Sequence, residues 1–210
     1  MTTIALFGAT GKTGRRVLTR LLDAGHAVRA LVRDPARLDH EHPDLTIVTG
    51  DVLDPAAVHA TVAGADAVVS VFGHVAGSPA RVQTDGTANI VEAMRTEGVV
   101  RIVSLSGGGL ADPADRPKAA DRVITFLLRR LQGEVLADAE GHLEVLRGSG
   151  LDWTIVRGPR LTEKPGTGHH RVGGVGVNAS TVISRDDLAD FIVTQIDDRQ
   201  FVGRMPFVSA

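Results

Sequence analysis

The segment best equipped for ligand chemistry is the run Gly8-Ala9-Thr10-Gly11-Lys12-Thr13-Gly14, three glycines interleaved with two hydroxyls and a cation. The apolar stretch Ile4 to Phe7 precedes it and a helix-period stretch, Thr13 to Asp23, follows it. At a strand-to-helix turn this spacing suits a dinucleotide's pyrophosphate: Gly8 permits the tight turn, Gly11 admits the phosphate close to the main chain, and Gly14 lets helix pack on sheet. The helix N-terminus supplies free N–H groups and partial positive charge, to which Thr10, Lys12 and Thr13 add donors. The competing reading is a glycine turn that only joins strand to helix. The strand that follows at dinucleotide-fold spacing favours the ligand site.

About 20 residues beyond such a turn, the end of the second strand selects between the two nicotinamide dinucleotides. Arg33 stands there, with Arg37 four residues on. Guanidinium groups favour a 2′-phosphate, so NADP is preferred over NAD. Asp34 complicates this, since it would either take ribose hydroxyls or pair with Arg37. Asp51, in Gly50-Asp51-Val52 after the third strand, reads as an acceptor for the adenine amino group with Val52 covering the ring, or equally as a turn acid ahead of a helix. Phe72-Gly73-His74 ends the fourth strand and Ser104-Leu105-Ser106-Gly107 the fifth, at the carboxyl edge where open α/β sheets bind ligands.

The elements that must position these groups follow a βαβ pattern. Strands are expected at Ile4 to Phe7, Ala27 to Val32, Leu45 to Val48, Ala67 to Phe72, Arg101 to Leu105 and Trp153 to Val156, each short and apolar as for strands covered on both faces. Helices are expected at Thr13 to Asp23, Pro55 to Val62 and Thr84 to Thr96, with Gly25 and Gly98 as C-terminal stops and Asp54 as a cap before Pro55. Gly107 to Pro117 reads as a loop over a site, and helix resumes from about Ala119 to Gly148 with a break near Gly133. Gly158 to Gly176 is glycine-rich and basic, a small substrate-side region. Thr181 to Ser184 and Met205 to Val208 read as strands, and Arg185 to Ile196 as a helix begun by Ser184 or Arg185. The fold class is therefore α/β, a Rossmann-type doubly wound, mostly parallel sheet with helices on both faces. One domain is expected over 1–210, with 1–157 as dinucleotide-binding core and 158–210 as substrate-side and closing elements.

Composition narrows the chemistry. The 23 lysines and arginines nearly balance 25 aspartates and glutamates, giving no basic excess for nucleic acid. No cysteine is present, so thiolate nucleophiles and cysteine-held zinc are excluded. His169 and His170 are adjacent rather than three or four apart, which suits a polar loop and not a metal site. The start of the chain has neither a charged leader nor a spanning apolar run, and a cytoplasmic, membrane-free protein is the default expectation. Arg129 and Arg130 beside Phe126, Leu127, Leu128 and Leu131 suit an amphipathic helix packed on its own domain, with a membrane- or partner-facing surface as the alternative; monomer and homodimer both remain open. Tyrosine is also absent, which removes any phenolic general acid.

These residues resemble the atypical short-chain dehydrogenase/reductase superfamily, in particular its NAD(P)H-binding, NmrA-like branch and the NADPH-dependent flavin reductase (biliverdin-IXβ reductase) type. The resemblance runs through Ile4 to Gly14, Leu31-Val32-Arg33-Asp34, Gly50-Asp51-Val52, Gly86-Thr87-Ala88-Asn89-Ile90-Val91, Leu146-Arg147-Gly148-Ser149-Gly150-Leu151 and Val182-Ile183-Ser184-Arg185-Asp186-Asp187-Leu188. It implies cofactor contacts at Thr10, Gly11, Lys12, Thr13, Arg33, Arg37, Asp51, Val52, Gly73, Ser106 and the Pro159-Arg160-Leu161 segment, with the nicotinamide over the carboxyl ends of strands four to six. Departures matter. The usual Tyr-x-x-x-Lys acid cannot exist here, the flavin reductase Thr-Ser pair is Ser106-Gly107, and the histidine of its Pro-Pro-His-Ile segment is Arg160.

Hydride transfer to a flavin, FMN included, or to a quinone asks little of the protein, because cofactor and acceptor carry the electronics. Such a flavin would be substrate rather than prosthetic group. Ser106 then orients nicotinamide or acceptor and Arg160 attracts an anionic acceptor, against the plainer readings of a strand-end serine bonded locally and a solvated loop cation. The alternative function is a dinucleotide-sensing, NmrA-like regulator that acts through a protein partner without turnover.

Overall fold

The computed structural model describes residues 2–118, 130 and 132–210. Strands β1 (Thr3–Phe7), β2 (Ala27–Val32), β3 (Leu45–Thr49), β4 (Ala67–Ser70), β5 (Arg101–Gly107) and β6 (Asp152–Gly158) lie in the order β3-β2-β1-β4-β5-β6. All are parallel, with Leu6 opposite both Ala30 and Val69. The order reverses between β1 and β4, and that switch point opens a crevice at the strands' carboxyl ends. β10 (Phe207–Ser209) joins the far edge parallel to β6, and β8 (Arg171–Gly173) closes it antiparallel. β7 (Arg160–Thr162) and β9 (Val182–Ser184) form a separate two-stranded parallel sheet.

Alternation along β1 explains the doubly wound architecture. Ile4 and Leu6 face one layer, with Val17, Leu18 and Leu21 of α1 (Lys12–Asp23) and Phe191 and Ile192 of α5 (Arg185–Thr194). Ala5 and Phe7 face the other, with Val58 and Val62 of α2 (Pro55–Val62), Ile90 and Met94 of α3 (Val82–Glu97), and Leu143 and Leu146 of α4 (Gly133–Arg147). A strand covered on both sides has no polar face, hence the unbroken apolar runs.

Several boundaries differ from the sequence expectation. β4 stops at Ser70, so Phe72, Gly73 and His74 lie in the loop beyond it. β5 continues through Gly107, shortening the expected loop to about Gly108 to Pro117. The last strand is displaced to Phe207–Ser209, and β7 and β8 emerge in a region read as irregular. Three-residue strands carry too little alternation to register as a period. The part of the expected Ala119 to Gly148 helix before the break near Gly133 falls almost wholly outside the described residues, Phe126, Leu127, Leu128, Arg129 and Leu131 included; the part after it is α4, from Gly133. No described helix is long and apolar enough to cross a membrane.

Candidate functional site

Two cavities open along the carboxyl edge. The first, about 640 Å3, lies over the β1–α1 turn, and the second, about 550 Å3, over the ends of β5 and β6. Both fall within the roughly 300–1,000 Å3 typical of small-molecule sites. They adjoin at the start of α3, where Val82 lines the first and Gln83 the second.

Gly8, Thr10, Gly11, Lys12 and Thr13 line the first cavity, and so do Arg33, Arg37, Asp51, Val52, Phe72, Gly73 and His74. Gly8 turns the chain with φ +93°. Gly14 lies behind the turn, where an added Cβ would stand 2.0 Å from the Gly8 carbonyl oxygen; its role is the close seating of α1 rather than a wall of the cavity. Gly11 is the N-cap residue of α1, and no side chain caps this helix. By contrast, Asp54 caps α2 through the Ala56 N–H and Ser184 caps α5 through that of Asp187. The α1 terminus therefore presents its first N–H groups to the cavity, with no acid in its first turn to answer them.

Farther along the cavity wall, Arg33 is exposed and its guanidinium lies 3.8 Å from the Asp51 carboxylate. The Asp34 carboxylate forms no ion pair with Arg37 within 4.0 Å; it accepts from Ala36 N at 3.1 Å and so caps the short 3-10 turn Pro35–Arg37. Asp51 accepts from Leu53 N at 2.9 Å, the turn-acid role, while still lining the cavity. Arg15, not singled out from sequence, donates to the carbonyls of Thr10 and Arg37 and ties the glycine turn to the segment bearing Arg33 and Arg37. Asn89 donates to the Val52 carbonyl at 3.0 Å and fixes this strip of the cavity wall.

The second cavity is lined by Ser106, Pro159 and Arg160 together with apolar Leu110, Val135, Leu136, Ala139, Val175 and Phe207. Leu161 lines neither cavity and packs against the α1/α5 layer. Ser106 is buried, and its Oγ has no hydrogen-bond partner among the described residues. Arg160 is exposed at the rim. The walls are pinned by Arg157, an unforeseen group. Its guanidinium, fully buried on β6, makes a fork with Asp115 (2.8 and 2.9 Å) and donates to the carbonyls of Leu110 and Met205. Asp115 also accepts from Val175 N at 2.9 Å, so one carboxylate joins the loop after β5 to the turn after β8. Burial works to raise the Asp115 carboxyl, but the Arg157 fork and the N–H groups of Asp112 and Val175 outweigh it and hold it below the usual range.

Between the cavities runs a buried polar network that sequence also hid. Asp138 on α4 accepts from Gln83 N, Thr84 N and Thr84 Oγ1, all within 2.8 Å. Burial opposes its ionisation, yet the Thr84, Gln83 and His74 hydrogen bonds prevail and lower its pKa. A carboxylate can only accept, so His74 Nε2, 2.7 Å away, carries the proton between them. One turn along, His142 meets Thr87 Oγ1 at 2.8 Å and Ser104 Oγ at 3.2 Å. Burial pushes this imidazole down to about 4, against the opposing pull of Asp138. His170, meanwhile, packs edge-on against Phe191.

The uncapped α1 terminus, the cations around it and the orphaned Ser106 hydroxyl together fit a nicotinamide dinucleotide. Comparison with known proteins agrees, for a family model described as NAD(P)H-binding matches residues 8–199. The chain belongs to the NAD(P)H-binding family. An uncharacterized chloroplastic protein of Arabidopsis thaliana is 32% identical over 203 residues, covering 89% of this chain and 69% of that protein. The 3-diazoavenalumate denitrifying reductase of a Streptomyces species is 31% identical over 188 residues, 83% of this chain and 60% of the reductase. This family member also matches 12% of the length of an uncharacterized Mycobacterium tuberculosis protein, at 38% identity over 105 residues. Among solved structures, a short-chain dehydrogenase/reductase of Veillonella parvula in complex with NADP superposes with TM-score 0.79 at 21% identity, covering 100% of this chain and 94% of that one. The likeness is one of Rossmann fold.

Proposed function

We propose that this chain is an NADPH-dependent reductase that passes hydride to a flavin, quinone or similar planar acceptor held over Ser106. The observation that carries the reading is the buried Ser106 hydroxyl, without a partner among the described residues and set near the end of β5 in an apolar cavity that adjoins the dinucleotide cavity. A buried hydroxyl without a partner forfeits its hydration, so a ligand that bonds it recovers that loss.

Lys12, Thr13 and the α1 N–H groups would hold the diphosphate, and Arg33 and Arg37 the 2′-phosphate. NADPH, when bound, supplies the hydride, and a proton from water completes the two-electron reduction of the acceptor. Ser106 would orient the carboxamide or the acceptor by hydrogen bonding. The apolar walls keep water from the acceptor, and Arg160 draws an anionic one to the rim. With no tyrosine in the chain, a carbonyl or alcohol substrate lacks its usual acid, whereas a flavin or quinone does not need one.

Steady-state oxidation of NADPH with FMN, a quinone and a bilin tests the reading. Acceptor-dependent turnover above the free-solution rate, reduced about tenfold or more in Ser106→Ala, supports it. Tight dinucleotide binding with no turnover on any acceptor would instead favour a regulator that senses the cofactor.

A further inference from the structure

Arg185 has none of the roles described above, yet it lines the first cavity, and its guanidinium meets the same carboxylate as Lys12 of the glycine turn. It is the first residue of α5, held in place by the Ser184 cap, whose Oγ accepts from Asp187 N at 2.9 Å. Arg16 and Arg20 of α1 both reach Asp186, at 3.2 and 3.3 Å, so the starts of α1 and α5 are tied together beside the cavity. The Arg185 guanidinium is largely buried, and its Nε has no acceptor among the described residues.

One carboxylate answers the cations at this mouth. Glu163 Oε1 lies 3.2 Å from Lys12 Nζ and 3.2 Å from Arg185, while Oε2 lies 3.2 Å from Arg16. The Lys12 hydrogen bond, with Arg185 and Arg16 nearby, holds the Glu163 carboxyl below its usual range. Arg16 has Asp186 as a second partner, but among the described residues no other carboxylate comes within 4.0 Å of Lys12 or Arg185. Two cations therefore share one oxygen of one half-exposed acid, and the mouth keeps an excess positive charge. A diphosphate brings two negative charges and several acceptors, a better match than one carboxylate oxygen.

We propose that Arg185 and Lys12 form a diphosphate clamp and that Glu163 is its internal counter-ion, competing with the cofactor's diphosphate for these two cations. The inference rests on the dinucleotide reading of the first cavity. On binding, Oε1 gives up Lys12 and Arg185, while Oε2 keeps Arg16, so Glu163 stays in place and returns when the dinucleotide leaves. The arrangement lowers affinity, favours release of spent cofactor and keeps two unpaired cations from facing each other in the free protein.

The test is titration of NADPH, and separately of adenosine 2′-monophosphate, into the full chain and its Glu163→Gln and Arg185→Gln variants. Removing the competitor tightens NADPH binding about fivefold at low salt, with the gain shrinking as salt screens the exposed acid. Arg185→Gln weakens NADPH binding about tenfold or more. Adenosine 2′-monophosphate has no diphosphate and binds all three proteins alike, which a general loss of structure would not allow. If the unaltered chain binds NADPH but Glu163→Gln binds it equally or more weakly, the counter-ion assignment is overturned. An Arg185→Gln variant with unaltered NADPH affinity overturns the clamp. If the unaltered chain binds no NADPH at all, the dinucleotide reading itself falls, and the clamp with it.

Discussion

Substituting two glycines of one turn by alanine separates what the fold requires from what the ligand requires. Gly11 sits at φ −72° and ψ 162°, backbone angles that alanine adopts freely, and its added Cβ would meet only the Gly8 carbonyl oxygen, at 3.3 Å. Alanine is a poorer N-cap than glycine by about 1 kcal/mol, and restricting the unfolded chain returns about 0.4–1 kcal/mol. Gly11→Ala should therefore shift folding stability by no more than about 1 kcal/mol. On the proposed dinucleotide reading, its methyl group would stand where a phosphate approaches the α1 N–H groups. Losing even one charge-assisted hydrogen bond costs about 1.5–3 kcal/mol, so NADPH binding should weaken at least about tenfold. Gly14→Ala behaves in the opposite way. Its Cβ falls 2.0 Å from the Gly8 oxygen and 2.8 Å from the Gly8 carbonyl carbon, both rigid main chain, and relieving that overlap should cost about 3 kcal/mol or more of stability. Urea denaturation and NADPH fluorescence titration on the same preparations give both quantities. Wild-type affinity in Gly11→Ala, or wild-type stability in Gly14→Ala, would refute the division of roles.

Three further outcomes follow from the geometry. Replacing Arg33 and Arg37 together by alanine should weaken NADPH about tenfold to a hundredfold while leaving NADH nearly unchanged, as read by titration of both dinucleotides; an equal loss for both would sink the 2′-phosphate assignment. His142 titrates near 4 in the folded protein against 6.5 ordinarily, so between those values the unfolded chain binds the extra proton and stability falls with falling pH. The loss should reach about 3 kcal/mol below pH 4, and in His142→Gln that portion of the slope should vanish from urea midpoints measured across the range. Asp115, Asp138 and Asp187, all held low, add losses of the same sign only further into acid. Asp115→Ala leaves the Arg157 guanidinium, 1% exposed, without its carboxylate and should cost about 3 kcal/mol in chemical denaturation; a neutral result would show that the Leu110 and Met205 carbonyls suffice.

Much of the scaffold was legible because its signals are local. The apolar run before Gly8, the Asp54-Pro55 helix start and the Ser184 cap each state their structure within a few residues, and each stands where the sequence placed it. The residues that shape the site were hidden wherever their partners are distant in the chain. Asp138 and His142 drew no notice, because their partners Thr84 and Thr87 on α3 lie more than 50 residues away in the chain. Arg157 fell just beyond the expected strand Trp153 to Val156 and drew no notice, since its burial depends on Asp115, 42 residues earlier. Arg185 read only as a helix start, and Glu163 drew no notice, because their meeting with Lys12 requires α1 and α5 to share one face of the sheet. With Asp34 the partner is close instead: Ala36 N, two residues on, takes its carboxylate in place of Arg37.

The central claim, hydride transfer to an acceptor over Ser106, is met most directly by a single-turnover experiment. The NADPH-loaded protein is mixed anaerobically with FMN or a quinone, and loss of the reduced nicotinamide absorbance is followed. The account predicts one equivalent of NADPH consumed well above the free-solution rate, slower with deuterium at the transferred position and slower in Ser106→Ala. Loss no faster than in buffer, with bound NADPH shown to be present, would contradict it.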